Sequence, residues 1–365
     1  MKVIQIVPEL VSGGVERGTV EMAHHLVAQG HQSLVISGGG RMVTELSRPG
    51  SRHLTMPVGR KSLRSLALVS KLRKLFTDER PDIVHLRSRV PAWLAWLAWR
   101  KMDPAIRPHL VTTVHGFYSV NRWSAIMTRG ERVICVSESI RKYVLDHYPA
   151  AAPDSLRVVN RGIDPARYPH GYQAPDDWRE SFCQEFPETR GRRLITLPGR
   201  ITRLKGHEDL IEVLRHLPDP QVHALIVGGT HPKRRAYLAE IGEKIQQAGL
   251  SERITFTGSR SDLREILAIS EVVLSLTLQP ESFGRTTLEA LGLGRPVVGY
   301  DHGGVSEQLA ALLPEGRVPP GDTTAAAKTI RRFLDNPPAV PAEHPYTLQA
   351  MLDGTLDVYR ELLSE

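Results

Sequence analysis

Short runs of β-branched and apolar residues alternate with longer stretches of helical periodicity through the first half of the chain. The runs are KVIQIV, SLVIS, DIVHLR, LVTTVH, RVICVS and LRVVN, and a helical pattern over residues 16–29 separates the first two. Strands joined by helices of this length need crossover connections, which favour a parallel sheet. The pattern therefore predicts an α/β domain.

The alternation stops and then restarts. Residues 161–191 are rich in proline, glycine and charge, which indicates a linker leading into a second domain. The runs RLITLPG, HALIVGG, RITFTG, EVVLSL and PVVGY follow it. We therefore predict two Rossmann-like parallel-sheet domains that face each other across a cleft, residues 1–161 and residues 162–344, with a helix at about 345–365 packing back on the first.

Composition fits a folded protein with two cores. The chain has 365 residues, 41% hydrophobic and 6% aromatic, which is not the profile of a disordered or fibrous protein. Its two cysteines lack metal-ligand spacing and fit a reducing compartment. The first apolar run is too short for a signal peptide, and no long uncharged run occurs, so we expect a cytoplasmic protein that does not span a membrane. The net charge of +7 favours an anionic partner.

Candidate anion-binding groups follow two of the predicted strands. In open parallel sheets, ligands bind beyond the carboxyl ends of the strands. Gly13 and Gly14 come after the first strand and before a helix, where backbone N–H groups can receive an anion, although an ordinary tight turn has the same sequence. Arg200 and Lys205 flank a loop that opens a helix in the second half. A guanidinium and an ammonium on one loop suit a diphosphate, while two solvated surface charges are the alternative.

Two glutamates stand eight residues apart in PESFGRTTLEALG, on either side of a helix start predicted near Gly284. At 1.5 Å per helical residue, Glu281 and Glu289 would be about 12 Å apart or less. This spacing suits two hydroxyl-bearing rings joined by a pyrophosphate, because a carboxylate accepts from vicinal hydroxyls. Gly284 and Arg285 offer backbone N–H groups between them. The alternatives are a carboxylate that stabilises the helix dipole for Glu281 and a solvated residue for Glu289.

These pieces together resemble the retaining glycosyltransferases of family 4, which have the GT-B fold and include group 1 enzymes of the lipopolysaccharide-core type. ESFGRTTLE matches the E-x7-E motif of that family. GRITRLKGHEDLI, HALIVGG, EALGLGRPVVGYDHGG and the N-terminal GGVER and MAHHLVAQGH also match, in the right order. The resemblance covers most of the chain, and its C-terminal half is the more specific part.

The resemblance implies a role for each candidate. Glu281 would hold hydroxyls of the donor sugar, Glu289 the ribose, and Arg200 and Lys205 the diphosphate. His115, in TVHGFY, matches a family histidine near the reacting sugar. The remaining donor-binding residues would be Gly13, Gly14, Thr257, Gly258, Leu263, Ser282, Phe283, Gly284 and Arg285, of which the three at 257, 258 and 263 would line the base pocket.

The resemblance also implies the reaction. A hexose would move with retention of configuration from a nucleotide-diphosphate sugar, most commonly a UDP-hexose, to an envelope glycan such as a lipopolysaccharide core. The sequence contains no Asp-x-Asp, so we expect no metal ion and no cofactor, with cationic side chains and helix N-termini neutralising the leaving group.

Three alternatives remain open. A nucleotide-sugar epimerase would share the architecture. A nicotinamide-dependent oxidoreductase would use similar domains, but GLGRPVVG has Val297 where the third glycine of the fingerprint belongs. A basic nucleic-acid-binding protein would explain the charge, but the few aromatic residues are not interleaved with the basic ones.

A basic segment in the first half favours contact with a membrane. Residues 60–76 carry six Lys or Arg and no acid, with Leu63, Leu66, Leu72 and Leu75 at helical intervals. Basic and apolar faces on one helix are typical of binding to an anionic membrane surface, which would make the protein peripheral on the inner face of the plasma membrane. A surface helix with its leucines in the core has the same pattern. The neighbouring PAWLAWLAWRK favours a buried helix.

Overall fold

The computed structural model describes residues 1–11, 13–60, 63–230 and 235–364. The chain forms two compact units, one of Met1–Asn160 with Gln349–Glu365 and the other of Arg161–Leu348. Within the described residues each unit holds one parallel sheet, of seven and six strands respectively. The prediction of two Rossmann-like parallel-sheet domains is confirmed.

The first unit has the strand order β3-β2-β1-β4-β5-β6-β7. Its elements are β1 Lys2–Ile6, α1 Gly14–Ala28, β2 Gln32–Ser37, α2 Val43–Ser47, β3 Arg52–Thr55, α3 Ala67–Glu79, β4 Ile83–Leu86, α4 Arg89–Trp99, β5 His109–Val114, β6 Arg132–Cys135, α5 Glu138–His147 and β7 Leu156–Val158. The middle strands are buried on both faces, which explains their nearly continuous apolar sequences. The strand order reverses between β1 and β4, which is where a ligand crevice is expected.

The second unit has the strand order β10-β9-β8-β11-β12-β13 and reverses between β8 and β11. Its elements are α6 Asp176–Glu185, β8 Arg193–Pro198, α7 His207–Arg215, β9 Val222–Val227, α8 Arg235–Gln247, β10 Ile254–Gly258, α9 Leu263–Ile269, β11 Val272–Ser275, α10 Arg285–Gly292, β12 Val297–Tyr300, α11 Gly303–Leu312, β13 Arg317–Val318 and α12 Thr323–Asp335. Its core consists of buried apolar residues of this sheet that pack against apolar residues of the surrounding helices.

The segment expected to be a linker is partly a helix of the second unit, so that prediction was wrong for residues 176–185. Trp178, Phe182 and Phe186 recur every four residues and form one aromatic face along α6 and its end. This face packs against buried residues of β8 and β9, including Leu194 and Leu225. The flanking prolines and glycines are typical of a loop, so the helical spacing of the three aromatic residues was not recognised from the sequence.

The last helix, α13 Leu348–Ser364, packs on the first unit. Tyr359 is fully buried, and its hydroxyl lies 2.6 Å from Nδ1 of His85 in β4. Glu361 accepts hydrogen bonds from Nε of Arg132 at 3.0 Å and Nε of Arg157 at 2.9 Å. A buried polar contact and a charge cluster therefore tie the C-terminal helix to strands β4, β6 and β7.

The basic segment follows the surface-helix alternative over the residues that can be compared. In α3, Leu68, Leu72 and Phe76 are buried and belong to the same core as α4. Leu75 is half-buried and Leu66 is exposed. The apolar side that a membrane contact would need is therefore largely used inside the unit.

The basic side of α3 faces solvent. Lys71, Arg73 and Lys74 are exposed, and Lys74 forms an ion pair of 2.8 Å with Asp78. Residues 61 and 62 of the basic segment lie outside the described residues, as do the side chains at 63 and 64. Among the described helices, none is both long and apolar enough to cross a bilayer.

Candidate functional site

Loops after β8 and β11 meet at the carboxyl edge of the second sheet, where the strand order reverses. The loop after β8 ends in a short turn, Arg203–Lys205, followed by Gly206 in the left-handed conformation with φ of 71°. A Cβ atom at Gly206 would overlap the carbonyl oxygen of Leu276. The backbone N–H of Leu278 donates to the Leu204 carbonyl at 2.8 Å. The two loops are therefore in direct backbone contact.

Replacing Gly206 with alanine should destabilise the second unit more than the same change at Gly249. Both glycines are left-handed, with φ of 71° and 69°, but no described atom lies within 4 Å of a Cβ at Gly249. We expect Gly249→Ala to lower the free energy of unfolding by about 1 kcal/mol from backbone strain alone. Gly206→Ala should lower the free energy of unfolding by roughly 1–3 kcal/mol more, because the added Cβ overlaps the Leu276 carbonyl. Equal losses in urea titrations would show that the loops can separate at no cost.

Lys205 and Glu281 form an ion pair across these loops. Both side chains are about one quarter exposed, at 28% and 26%, so a ligand can reach them. The aliphatic stem of Lys205 lies over Gly199, where an added Cβ would be 3.4 Å from its Cδ and Cε atoms. The structure thus brings together two residues that the sequence assigned to neighbouring parts of one ligand.

Arg200 stands on the same loop, directly after Gly199. Its side chain is exposed and has no ion pair with any described carboxylate. A guanidinium without an internal partner remains available for an external anion. Of the two predicted phosphate-binding cations, Lys205 is therefore paired with Glu281, whereas Arg200 has no described carboxylate partner. A third cation of the loop, Arg203, pairs with Glu240.

The backbone around Glu281 is fixed by α11. The N–H of Gly304 donates to the Glu281 carbonyl at 2.8 Å, and a Cβ at Gly303 would lie 2.5 Å from that same oxygen. The same helix holds buried Phe283, since Nε2 of Gln308 donates to its carbonyl at 2.5 Å. The loop is rigidly placed, and the glycines at the start of α11 allow that close approach.

The helix predicted near Gly284 begins one residue later as α10. Gly284 has φ of 82° and precedes the helix, so that its first N–H groups lie beside the loop that carries Glu281. Ser282 and Arg285 are half-buried at this helix start. The N-terminal dipole of α10 adds to the positive potential of the two cations.

Glu289 is buried rather than solvated, which removes one alternative left open by the sequence. It is 8% exposed, and Nε of Arg285 lies 3.1 Å from its Oε1. Burial raises the pKa of its carboxyl group, while Arg285 and a hydrogen bond with Tyr168 act in the opposite direction. Burial and the nearby carboxylate raise the pKa of Tyr168 to about 12.

Tyr168 is a site residue that the sequence analysis missed. It lies in the segment expected to be a linker, far from Glu289 in sequence, and is 8% exposed. Nothing in its local pattern marks it, because a single tyrosine between prolines and glycines is typical of a loop. Only the fold shows that the segment returns to α10.

The predicted base-pocket residues lie at the edge of the same sheet. Thr257 and Gly258 end β10, where the register with β9 shifts, and Leu263 begins α9 and is half-buried. β10 is two strands from β8, so their carboxyl ends are roughly 10 Å apart. Among the described residues, no hydrogen bond or ion pair joins these three to Lys205 or Glu281.

The candidates in the first unit follow β1 and β5. Gly13 precedes α1, and a Cβ there would lie 2.5 Å from Oε2 of Glu16, so this carboxylate folds over the helix start. Gly14 is exposed at the first position of α1. His115 follows β5 and is half-buried, with its backbone N–H donating to the Tyr118 hydroxyl at 3.2 Å. An anion at Gly13 would therefore require Glu16 to move aside.

No cluster of three or more His, Cys, Asp or Glu side chains within the described ranges is placed to hold a metal ion. The described part of the second unit presents instead a paired lysine, an arginine without a described carboxylate partner, a helix N-terminus and two carboxylates. On two Rossmann-like domains, this arrangement is the one expected of a glycosyltransferase.

Two family models match the chain in succession. One is described as Glycosyltransferase Family 4 and matches residues 12–167, and the other is described as Glycosyl transferases group 1 and matches residues 179–346. Together they cover both units except for the junction and the ends. Residues 179–346 are thus similar to the group 1 glycosyltransferases, and the curated relatives that the chain matches are named as glycosyl-transferring enzymes, the class expected from the sequence.

Similar proteins agree on the class and differ in detail. The alpha-maltose-1-phosphate synthase of Mycolicibacterium smegmatis is 30% identical over 59% of this chain, which spans only 55% of that relative. A glycosyltransferase from Rickettsia africae superposes with a TM-score of 0.84 at 28% identity, over 100% of this chain and 99% of the other. Anabaena HepE in complex with UDP-glucose superposes with a TM-score of 0.74 at 20% identity, over 100% and 98% of the two chains. The last likeness shows the fold alone.

Proposed function

We propose that this protein is a retaining glycosyltransferase that moves a hexose from a nucleotide-diphosphate sugar to an envelope glycan, without a metal ion or cofactor. The ion pair between Lys205 and Glu281 carries the proposal. In a nucleotide sugar, the hexose is bonded directly to the second phosphate. A cation for the phosphate must therefore stand next to an acceptor group for the sugar hydroxyls, and this pair supplies both.

The remaining groups suit the other parts of such a donor. Arg200 and the N-terminus of α10 would share the charge of the diphosphate with Lys205. Glu289 is one helical turn into α10 and buried, which suits a carboxylate that receives two vicinal ribose hydroxyls. Thr257, Gly258 and Leu263, two strands away, would line the base.

The proposed reaction breaks the bond between the anomeric carbon and the phosphate oxygen and forms a bond from the same carbon to an acceptor oxygen. The acceptor proton passes to the departing phosphate oxygen on the same face of the sugar, so configuration is retained. Negative charge develops on the phosphate, where Lys205, Arg200 and the helix N-terminus stabilise it. The role of His115 near the reacting sugar stays a prediction from the sequence resemblance.

Donor and acceptor are the finer parts of the proposal. UDP-hexose is the donor that we favour, because it is the commonest in enzymes of this type. The acceptor that we favour is a lipid-linked or lipopolysaccharide-core glycan at the inner face of the plasma membrane. The exposed Lys71, Arg73 and Lys74 of α3 support contact with an anionic surface, and that contact would be electrostatic because the helix leucines are largely buried.

Hydrolysis of a nucleotide-sugar panel, with thermal shift as a second readout, tests the donor. We expect one UDP-hexose to stabilise the protein and to be hydrolysed slowly, and EDTA to leave both effects nearly unchanged, because cationic side chains take the place of an ion. Loss of hydrolysis on chelation that manganese restores would contradict metal independence. Conversion of the donor into its epimer, with no transfer when an acceptor is added, would identify an epimerase instead.

A further inference from the structure

A cavity lies in the first unit, away from the carboxyl edge of its sheet. It has a volume of about 690 Å3 and is walled by Trp96 of α4, residues 120–131 and the end of α5 with the loop that follows. The wall includes Gly130 and Glu131, directly before β6, and Ala152 and Ser155, just before β7. The cavity therefore opens near the amino-terminal ends of these strands, whereas His115 and the glycines at the start of α1 follow carboxyl ends.

The wall carries positive charge that the unit does not neutralise. Arg122 and Arg129 are exposed and have no ion pair with any described carboxylate. The one acid in the wall, Glu131, is already used: its Oε2 accepts from the Leu110 N–H at 2.6 Å, and its Oε1 lies 3.3 Å from Nδ1 of His109. The cavity therefore favours an anion.

An indole stands beside these cations. The guanidinium of Arg129 lies 4.9 Å from the ring centre of Trp96, and that of Arg100 lies 4.8 Å from it. Trp93 packs edge-on against the same ring at 5.8 Å. These contacts fix the orientation of the half-buried indole. The indole and the guanidinium group of Arg129 that covers it therefore form one fixed part of the wall.

Neutral polar groups complete the wall. Nδ1 of His147 lies 3.0 Å from the Tyr143 carbonyl and must donate to it, which leaves Nε2 to accept from a hydroxyl. Oδ1 of Asn121 accepts from the Ser124 N–H at 2.8 Å, which leaves its amide N–H groups to donate. Each side chain therefore keeps hydrogen-bonding capacity toward the cavity that it lines.

We propose that this cavity binds an anionic sugar unit, a pyranose that carries a phosphate or a carboxylate. The guanidinium groups of Arg122 and Arg129 receive the acidic group, and the Trp96 indole beneath Arg129 forms the adjoining wall. The volume is in the range typical of small-molecule sites. A flat lipid surface would reach only the rim of such a recess. The site does not depend on the proposed donor, since all of its wall belongs to the first unit.

Indole signals in 15N NMR spectra locate the binding, because the chain has five tryptophans that single Trp→Phe variants can assign. Glucose 6-phosphate and glucuronate are the probes, and glucose is the neutral comparison. We expect both anionic sugars to shift the Trp96 signal, glucose to shift it much less, and Trp178 of the second unit to stay unchanged. A Trp96 signal that none of the three sugars moves would overturn the proposal.

Charge variants give an independent measurement. Arg122→Gln with Arg129→Gln should weaken glucose 6-phosphate binding by about tenfold or more in calorimetry, because charge-assisted hydrogen bonds are lost. The matched control is Arg107→Gln. The Arg107 guanidinium lies 3.8 Å from the ring centre of Trp99, which is on α4 like Trp96, but Arg107 does not line the cavity. Full binding in the double variant, or binding abolished by Arg200→Gln in the donor site, would overturn the proposal.

Discussion

Replacing Lys205 with methionine is expected to reduce kcat/KM for the nucleotide sugar by about 100-fold or more. Methionine keeps an unbranched stem that can pack over Gly199 and removes the ammonium that faces Glu281. Two effects then combine: the diphosphate loses a charge-assisted contact that strengthens as the bond breaks, and Glu281 keeps a negative charge beside it. We expect kcat to fall with kcat/KM, because stabilisation of the leaving group is greatest in the transition state.

Lys244→Met is the control for this substitution. Lys244 also belongs to the second unit, is 38% exposed and pairs with Glu208 at 2.5 Å and Glu240 at 3.2 Å. Lys244→Met removes a lysine–glutamate contact outside the proposed site, and the exposure of Lys244 is similar to that of Lys205. Steady-state kinetics in which both variants fall equally, or in which Lys205→Met stays within twofold of the unchanged protein, would contradict the role of Lys205.

Glu281→Ala should lower transfer by about tenfold or more while the protein remains folded. The carboxylate would accept hydrogen bonds from sugar hydroxyls, and bonds to a charged group contribute about 1.5–3 kcal/mol each. The backbone at position 281 is held by Gly304, so the loop should keep its course without the side chain. Kinetics with the donor, and a melting curve that shows an intact fold, measure the two parts of this expectation.

The double variant measures the coupling between Lys205 and Glu281. If Lys205 and Glu281 act on one donor, the loss in kcat/KM for the pair of substitutions should be smaller than the product of the single losses. Activity of folded Glu281→Ala within twofold of the unchanged protein would remove this glutamate from the site.

The regular parts of the fold could be predicted because their patterns are local. The start of α10 was expected near Gly284 and occurs there, and its inward leucines, Leu288 and Leu291, are fully buried. Apolar residues at helical spacing next to a glycine mark this helix without any tertiary information. α6 was not predicted because its aromatic face is stabilised by packing against β8 and β9, which the local sequence does not show.

The site could be predicted as separate residues but not as a set of contacts. Lys205 and Glu281 were each assigned to a donor, yet they are 76 residues apart, and no pattern in either segment indicates that they pair. The contact depends on Gly206 lying against Leu276, which is a property of two loops on adjacent strands. Tyr168 beside Glu289 was missed for the same reason, since the sequence carries no signal for a loop that returns to a helix.

The pairing of Lys205 with Glu281 has a consequence for selectivity among the sugars of a cell. Before a ligand arrives, the carboxylate that would accept sugar hydroxyls is occupied by the ammonium. A free hexose offers the ammonium only neutral hydroxyl oxygens and must compete with it for the carboxylate. A diphosphate draws the ammonium away and so releases the carboxylate for the attached sugar. In the proposed function, the abundant unphosphorylated hexoses are therefore poor inhibitors, and the two halves of the donor are recognised in a fixed order.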